Sequence, residues 1–347
     1  MDTRVKKKKI KKKRSKAVVF FITLPLLILF FSATGYGAYL YFKATNAVEA
    51  SHKELDRGVK SEMREAAVKP LEDNVSVLFM GVDASEKRAT QYGNAVRTDA
   101  LILATFNRED SSIKLLSIPR DTYTYIDVEG KYDKINHAHA FGGVDATVKS
   151  VEDLLKVPVD YYAKINFEAF LGIVDALGGI DVDVPITFTE QNSKDEPGAI
   201  TLQKGPQTLN GEQALALART RKIDSDIERG KRQQLVIESI IKKSMSISSV
   251  TKYGDLIDTL GENLATNLSF QEMMSFMGYA TKASALTIES LQLKGQDAYI
   301  GGVYYYQPDD TNLMELQQTL HAHLNDVPSA IQRETSSENN DLTIEMK

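Results

Sequence analysis

Apolar and polar positions divide the chain into a long N-terminal apolar segment and a larger region of shorter apolar runs. Residues 17–42 carry no charged side chain. As a helix, this stretch would reach about 39 Å, which is enough to cross a hydrocarbon core of about 30 Å. We therefore predict a transmembrane helix at 17–42. A cleaved signal peptide is the alternative, but its apolar region would be only about 7–15 residues long.

Basic residues predict the orientation of this span. Residues 1–16 contain ten Lys or Arg side chains and one acidic side chain. Such an excess stays on the cytoplasmic side, so we predict a cytoplasmic tail and a single-pass type II protein of the cell membrane. The rest of the chain would then lie outside. Nucleic-acid binding by the lysine run is the weaker interpretation, because a position beside a membrane span already explains it.

The region after the span predicts a stalk followed by a folded domain. Residues 43–70 are polar and predict a helical or flexible stalk that ends at Pro70. Apolar runs of strand length follow at 75–81, 100–106, 113–119, 161–167 and 180–185. Helical patterns occur at about 144–156, 167–178, 211–220 and 228–244. Continuously apolar strands between helices indicate an α/β fold whose buried sheet is covered on both faces.

A further segment adds predicted helices at Phe270–Ala283 and Asp310–Leu324, with strands at Leu286–Leu293 and Tyr299–Tyr306. The predicted extracytoplasmic domain therefore covers 71–325. The polar residues that follow, 326–347, predict a disordered tail.

Charge and cysteine content limit what this domain can be. The chain has 42 basic and 47 acidic side chains, so removal of the basic tail leaves residues 17–347 with a net charge of −14. A domain of that charge is not a general binder of polyanions, and an anionic ligand requires a local basic cluster. The chain has no cysteine, so an external domain must be held together by its own core rather than by disulfides.

Five arginines lie beside predicted strand and helix ends and supply candidates for such a cluster: Arg97, Arg120, Arg219, Arg221 and Arg229. Guanidinium groups bind phosphate oxygens in a bidentate manner and stay charged at working pH. The pattern therefore favours a phosphate-rich substrate, although pairs such as Arg120 with Asp121 also suit surface ion pairing.

Eight motifs in order resemble the LytR-CpsA-Psr family of Gram-positive cell-envelope proteins. They are FMGVD, RTDALILATF, SIPRDTYTYI, DKINHAHAFGG, VDYYAKINFEAF, LGGIDVDVP, LNGEQALALARTR and RGKRQQ. The resemblance covers about residues 71–325 and implies an α-β-α fold with a mixed central sheet. It also implies a phosphotransferase that moves a glycopolymer, such as wall teichoic acid or capsular polysaccharide, from a polyprenyl-pyrophosphate carrier to peptidoglycan.

The resemblance also implies roles for particular residues. Asp83 and Asp99 correspond to ligands of Mg²⁺, with Mn²⁺ as a substitute, and Asp99 is counted among the catalytic residues. The remaining counterparts are a pyrophosphate clamp of Arg97, Arg120, Arg219 and Arg221, and pyrophosphate contacts at Arg229, Gln233 and Lys134. Two carboxylates suffice for Mg²⁺ when substrate phosphates and water complete its oxygen ligands.

Several of these assignments have alternatives. Asp83 also suits a simple strand-to-loop turn, and Lys134 suits a solvated surface. Arg219 and Arg221 are two residues apart, so they do not share one helical face unless the helix ends between or before them.

Residues 225–229 read SDIER, where relatives usually carry a D-F-G-R segment. This departure brings a carboxylate, Glu228, near the clamp, where it is repulsive unless it turns to solvent. It weakens the assignment of Arg229 and allows Gln233 to slip by one position to Gln234.

A polyprenyl chain needs a long apolar cavity, which the resemblance places between the sheet and the helices. Candidate lining residues lie on the predicted amphipathic helices: Val148, Val151, Leu154, Leu155, Phe170, Ile173, Val174, Leu217, Leu235, Val236 and Ile240. Ordinary core packing explains most such residues equally well.

Two other functions remain open at this point: a pyrophosphatase in which water attacks, and a membrane-anchored protein that binds a lipid-linked glycan without chemistry. A metal held by Asp83 and Asp99 beside the arginines would favour catalysis over binding.

Overall fold

The computed structural model describes residues 34–82, 96–221, 225–246, 263–280 and 286–325. The described chain divides into two compact units, one that ends at Asn46 and one that begins at Ala47. The first helix, α1, covers residues 34–51. Across the described ranges, no helix is both long and apolar enough to cross a bilayer.

Part of the predicted topology lies outside the described residues. This applies to the basic tail at 1–16, to residues 17–33 of the predicted span and to the predicted tail at 326–347. The single span and the domain limits therefore stay predictions.

Fourteen strands occur in the described residues. In chain order they are β1 (Val75–Val82), β2 (Thr98–Asn107), β3 (Ser112–Ser117), β4 (Tyr123–Ile126), β5 (Lys131–Lys134), β6 (Tyr161–Ile165), β7 (Ile180–Val184), β8 (Phe188–Glu190), β9 (Ile200–Leu202), β10 (Gly205–Leu209), β11 (Leu264–Thr266), β12 (Thr287–Gln292), β13 (Gly295–Ile300) and β14 (Val303–Pro308). After α1, the helices are α2 (His137–Leu155), α3 (Phe167–Ala176), α4 (Gly211–Arg219), α5 (Asp226–Ser246), α6 (Phe270–Ala280) and α7 (Asp310–Leu324).

The central sheet has the strand order β11–β6–β1–β2–β3–β12. β1 pairs antiparallel with β2 and parallel with β6, and β12 pairs parallel with β3. The mixed sheet implied by the family resemblance is therefore confirmed. Four of the five strands predicted first, at 75–81, 100–106, 113–119 and 161–167, belong to it.

Both faces of this sheet are buried. On one face, Leu78 and Leu103 share a core cluster with residues of α2 and α7, including Leu320. On the other face, Val77 and Ile102 pack with residues of α5 and α6. Burial on both sides explains why β1 and β2 are continuously apolar rather than alternating.

Two predicted strands have a different arrangement. The strand predicted at 180–185 is β7, which pairs with β10 outside the central sheet. Exposed Asp181 and Asp183 alternate with buried residues along it, so one face of this two-stranded sheet is solvated. The single strand predicted at Tyr299–Tyr306 is wrong. Gly301 and Gly302 have positive φ values of 59° and 81° and form the turn of the β13–β14 hairpin.

The second half of the predicted stalk lies against the folded domain. The Arg57 guanidinium is 2.6 Å from the carboxylate of Glu152 on α2. Arg64 donates two hydrogen bonds, of 3.0 and 2.8 Å, to Asp160, which precedes β6. Both carboxylates are buried, so these pairs hold the segment in place. Helix α1 ends at residue 51, and the rest of the stalk follows the surface of the domain in turns and bends.

α7 is joined to the sheet by a buried histidine. The two ring nitrogens of His323 lie 2.8 Å from the hydroxyl oxygens of Thr105 and Ser112. Burial lowers the pKa of His323 to about 4, so the ring is neutral at physiological pH. The polar contacts place the end of α7 at the far end of β2 from Asp99.

Candidate active site

A cavity of about 380 Å³ opens where β1 ends and β2 begins, beside α3, α4 and α5. Two kinds of side chain line it. The apolar lining includes Phe79, Ile102, Ile165, Phe167, Phe170, Leu215, Val236 and Ile237. The charged and amide lining consists of Asp99, Arg120, Asn166, Glu190, Gln191, Asp195, Arg219, Arg221, Arg229 and Gln233. One concave surface therefore offers a place for an apolar chain and a place for an anion.

Arg120 and Asp99 meet at adjacent strand ends. Asp99 is the second residue of β2, and Arg120 follows the end of β3, the antiparallel neighbour of β2. Arg120 Nη1 donates a hydrogen bond of 2.8 Å to Asp99 Oδ1, and Arg221 Nη2 lies 3.4 Å from the same oxygen. The backbone carbonyl of Arg120 accepts a 3.1 Å hydrogen bond from Asn136 N–H. This segment is therefore held on both sides.

The end of α4 explains how two arginines two residues apart reach one cavity. A capping box of Asn210 and Gln213 starts the helix, and Thr220 leaves it in an extended conformation. Because the helix ends at Arg219, Arg221 follows a different chain direction and both side chains line the cavity. Thr220 is fixed by a 2.8 Å hydrogen bond from Arg232 Nη2 to its carbonyl.

Arg229 is the most buried arginine of the cavity, with 3% of its surface exposed. Its Nη2 donates a 2.9 Å hydrogen bond to Asp226 Oδ2, whereas its Nε and Nη1 atoms have no hydrogen-bond partner among the described residues. Burial lowers the pKa of Arg229 to about 10, which leaves the group charged at neutral pH. Buried donors without acceptors on a cavity wall suit an anionic ligand.

The SDIER departure is harmless to this arrangement. Glu228 is exposed and pairs with Lys231 at 2.6 Å, so its carboxylate turns to solvent and does not repel an anion in the cavity. Asp226, which sequence reasoning did not single out as a site residue, lies 2.9 Å from Arg229 and 4.0 Å from Arg120 Nε. Its carboxylate helps to hold both guanidiniums in place.

The structure also separates the two adjacent glutamines. Gln233 lines the cavity, and its Nε2 donates to the carbonyl of Ala218 at 3.3 Å. Gln234 is buried, and its Nε2 donates to the carbonyls of Leu115 and Leu291 at 2.7 Å each. Gln234 therefore ties α5 to the sheet, and Gln233 is the glutamine that lines the cavity.

Of three further predicted site residues, two lie away from the cavity wall and the third is outside the described residues. Arg97 is exposed just before β2, and it is absent from the cavity lining. Lys134 Nζ lies 3.0 Å from Asp121 Oδ1, also away from that lining. Asp83 lies outside the described residues. The roles given to these three residues stay predictions.

The apolar lining corrects the set of residues predicted for a lipid cavity. Of that set, Phe170 and Val236 line it. Val148 and Val151 belong instead to the core on the opposite face of the sheet. Sequence reasoning missed Phe79 because both faces of β1 are apolar, so the pattern does not reveal which side chains face the cavity.

The described residues contain no group of three or more His, Asp or Glu side chains that could hold a metal ion. Asp99 supplies one carboxylate at the cavity. Val82, the last residue before Asp83, pairs in register with Thr98, the last residue before Asp99. The oxygen donors present fit a hard cation that keeps water or phosphate ligands, and do not form an all-protein cage.

Comparison with known proteins identifies the family. Residues 38–322 match the LytR_cpsA_psr family. The chain belongs to this family. It is 43% identical over 325 residues to the polyisoprenyl-teichoic acid–peptidoglycan teichoic acid transferase TagT of Bacillus subtilis (strain 168), which covers 93% of this chain and 99% of that relative.

Solved structures of family members have the same fold. A structure of TagT bound to LIIa-WTA has a TM-score of 0.67 and 43% identity, and covers 79% of this chain and 100% of that chain. A structure of the LytR-CPS2A-psr family protein YwtF (TagT) with bound octaprenyl pyrophosphate lipid has a TM-score of 0.63 and 38% identity. It also covers 79% of this chain and 100% of that chain.

Proposed function

We propose that this protein is a phosphotransferase that moves an anionic glycopolymer, such as wall teichoic acid, from a polyprenyl-pyrophosphate carrier to peptidoglycan. The observation that carries the proposal is the composition of the cavity, whose apolar wall meets four arginines. A polyprenyl pyrophosphate matches these two parts of the cavity, because it joins an apolar chain to an anionic pyrophosphate group. The chemistry named for the TagT relative supports the same substrate.

The arginines stabilise the charge that develops during transfer. The acceptor hydroxyl oxygen forms a bond to the phosphorus that carries the glycopolymer, and the bond from that phosphorus to the bridging oxygen breaks. Polyprenyl phosphate leaves with the bonding electron pair, and the hydroxyl proton passes to water. Negative charge grows on the leaving phosphate, where fixed guanidinium donors lower the barrier.

Carboxylates prepare this cluster before the substrate arrives. Asp99 holds Arg120 and Arg221, and Asp226 holds Arg229. Burial and the nearby charge of Arg120 lower the pKa of Arg221, which reflects the repulsion between guanidiniums that the carboxylates offset. Bound phosphate oxygens would add to this compensation, and the side chains need little reorganisation.

We also propose a Mg²⁺ ion, replaceable by Mn²⁺, held by Asp99 and Asp83 together with phosphate oxygens. A bound divalent cation would neutralise phosphate charge and make the leaving phosphate more stable. The register of Val82 with Thr98 supports this assignment, since it brings the chain positions just before both carboxylates together.

The direct test is transfer by the purified full-length chain. Incubation with a polyprenyl-pyrophosphate glycan and peptidoglycan oligomers should yield a glycan–peptidoglycan phosphodiester and polyprenyl phosphate, detected by mass spectrometry. Release of a free glycan phosphate without the phosphodiester would identify a pyrophosphatase. Tight binding of the donor without turnover would identify a binding protein. Either result would contradict the proposal.

We propose that the domain lies outside the cytoplasm of a Gram-positive cell, anchored by a single span at 17–42. The uncharged segment and the ten basic residues before it support this topology. Protease added to intact wall-stripped cells should therefore digest the region after residue 43 and spare an epitope tag placed before Met1. Protection of the large domain would reverse the orientation.

A further inference from the structure

Six tyrosines lie in two groups on neighbouring hairpins outside the cavity, and one lysine connects the groups. Tyr123 and Tyr125 point to the same face of β4 because side chains alternate along a strand. Tyr132 on β5 is the register partner of Tyr125. Its ring centroid lies 5.2 Å from that of Tyr123, in a stacked arrangement, and 5.4 Å from that of Tyr125, edge to face.

The β13–β14 hairpin carries the other tyrosines. The Tyr305 ring meets Tyr123 edge to face with a centroid distance of 4.9 Å. Tyr304 and Tyr299 are register partners, and their ring centroids are 5.7 Å apart. Tyr304 and Tyr305 are adjacent on β14 and therefore point to opposite faces of the strand. Lys134 Nζ bridges them at its edge, 5.5 Å and 5.8 Å from their ring centroids. We name this surface the tyrosine row: Tyr125, Tyr132, Tyr123, Tyr305, Tyr304 and Tyr299.

Packing of the domain does not explain these rings. Tyr132 is 58% exposed and Tyr299 is 76% exposed. The opposite face of β4 carries Ile126, which is fully buried with Ala138 of α2. The hairpin therefore packs through its other face and leaves its tyrosines outward. Large exposed apolar patches on a protein surface mark interaction or ligand-binding sites.

The middle of the tyrosine row, at Lys134, lies next to the arginines of the cavity. Asp121 Oδ2 lies 3.6 Å from Arg120 Nε, and Asp121 Oδ1 lies 3.0 Å from Lys134 Nζ. A single carboxylate therefore separates the lysine that rests on Tyr304 and Tyr305 from an arginine that lines the cavity. A molecule lying along the row would therefore pass close to the phosphate-binding cluster where it crosses Lys134.

We propose that the tyrosine row binds the acceptor, an N-acetylated glycan strand, and directs its hydroxyl groups towards the arginine cluster. This inference rests on the proposed function, which requires a polysaccharide acceptor in addition to the lipid-linked donor. The cavity already offers sites for the apolar chain and the phosphates of the donor. The row is the neighbouring surface whose chemistry suits the remaining reactant.

The row has the chemistry that recognises a sugar. The C–H groups on the face of a pyranose ring are weakly positive and apolar, and they pack on the negative face of an aromatic ring. Phenolic hydroxyls donate and accept hydrogen bonds and therefore suit sugar hydroxyl and acetamido groups. Tyrosine supplies both properties in one side chain, which a patch of Leu or Met does not.

The charges around the row favour an uncharged strand over a polyanion or an anionic membrane. Lys131 and Lys134 are balanced by Glu129 at 3.0 Å from Lys131 and by Asp121. A further carboxylate, Asp297, accepts a 2.9 Å hydrogen bond from Tyr304 Oη. The basic face that draws a helix or hairpin to anionic lipid is therefore missing from these described residues.

Calorimetric titration of the full-length chain in detergent with soluble N-acetylated glycan oligomers tests this site. The double variant Tyr132→Ala/Tyr299→Ala should bind the oligomers at least about tenfold more weakly, since two stacking contacts are lost. Tyr132→Phe/Tyr299→Phe should retain most of the affinity because the ring faces remain. Tyr132→Leu/Tyr299→Leu should behave like the alanine variant if ring faces, rather than apolar area, are recognised. Met314→Ala, which removes a 59% exposed side chain on α7, serves as the matched control.

Affinity for a polyprenyl-pyrophosphate analogue, measured in the same samples, separates failure of this inference from failure of the proposed function. Analogue binding by the native chain without glycan binding, or equal glycan binding by native and alanine forms, would overturn the tyrosine row alone. Loss of analogue binding by the native chain would overturn the function and the row together. Two further results would also overturn the row: weaker binding of the alanine variant to anionic vesicles with unchanged glycan affinity, or a change of its oligomeric state.

Discussion

Replacing Arg120 by alanine should reduce glycopolymer transfer by about 10³-fold or more and leave the domain folded. Arg120 lines the cavity and lies between Asp99 and Asp121. Its loss therefore removes a fixed hydrogen-bond donor to phosphate and no core side chain. Guanidinium groups that stabilise phosphoryl transfer contribute about 10³–10⁵ in rate. Steady-state transfer kinetics, with thermal unfolding as the check on folding, measure the effect. Arg219→Ala should behave in the same way.

Two companion variants make this test specific. Arg120→Lys should also lose most of the activity, because an ammonium lacks the planar fork that binds two phosphate oxygens. Arg108→Ala is the matched control, since Arg108 directly follows β2 at the end opposite Asp99. Transfer at the native rate by Arg120→Ala would remove this guanidinium from the clamp.

Excess chelator should reduce transfer to background, and Mg²⁺ or Mn²⁺ should restore it. The described residues contain no group of three or more His, Asp or Glu side chains that could hold a metal, so the ion should bind weakly alone and more tightly with the pyrophosphate present. Each ligand neutralises charge that opposes the binding of the other, which makes their affinities reciprocal. Calorimetry with a polyprenyl-pyrophosphate analogue, with and without Mg²⁺, measures this coupling.

Asp99→Asn should reduce turnover and abolish the effect of Mg²⁺ on analogue affinity, while metal-independent retention of the lipid chain stays unchanged. Asp226→Asn is the control, because it also removes a carboxylate beside the arginines but not one assigned to the metal. That variant should keep the Mg²⁺ dependence. Unaffected transfer in excess chelator would leave the arginines as the electrophilic groups and contradict the two-carboxylate site.

Local sequence was sufficient to predict the elements that carry the fold. β1 and β2 lie within a residue or two of the runs predicted at 75–81 and 100–106, because strands buried on both faces must be continuously apolar. α7 spans Asp310–Leu324 as predicted, with Asp309 as its N-cap. The resemblance to the LytR-CpsA-Psr family was also readable, since its eight motifs occur in order along the chain, and the family match confirms it.

Some local patterns were misleading because a turn depends on backbone conformation at one or two residues. The apolar and aromatic run at 299–306 has strand composition throughout, yet Gly301 and Gly302 reverse its direction. The hydrophobic composition of the whole run hides two glycines, but those two glycines are enough to turn the backbone. The same turn places Tyr299 beside Tyr304 and so creates one end of the tyrosine row.

The arrangement of the candidate site was decided by tertiary structure. Sequence alone left open whether Arg219 and Arg221 reach one site. The structure shows that α4 ends at Arg219 and that both side chains line one cavity. The sequence also left Gln233 and Gln234 as alternatives. The rotation of α5 about its axis decides between them, because it points Gln234 to the sheet and Gln233 to the cavity.

The physical reason is that periodicity and composition report how strongly a residue is driven to burial, but not which element covers it. Val151 and Val236 are both apolar helical residues, yet Val151 packs in the core on one face of the central sheet, whereas Val236 packs with α3, α4, β7 and β10. The cavity lining includes only Val236. Charge adds a similar uncertainty, because an arginine near a strand end pairs with whichever carboxylate the fold brings close. The sequence by itself determined the family, most strands of the central sheet and the arginines that are candidates for phosphate binding. The packing of α3, α4 and α5 decided which of these arginines share a cavity.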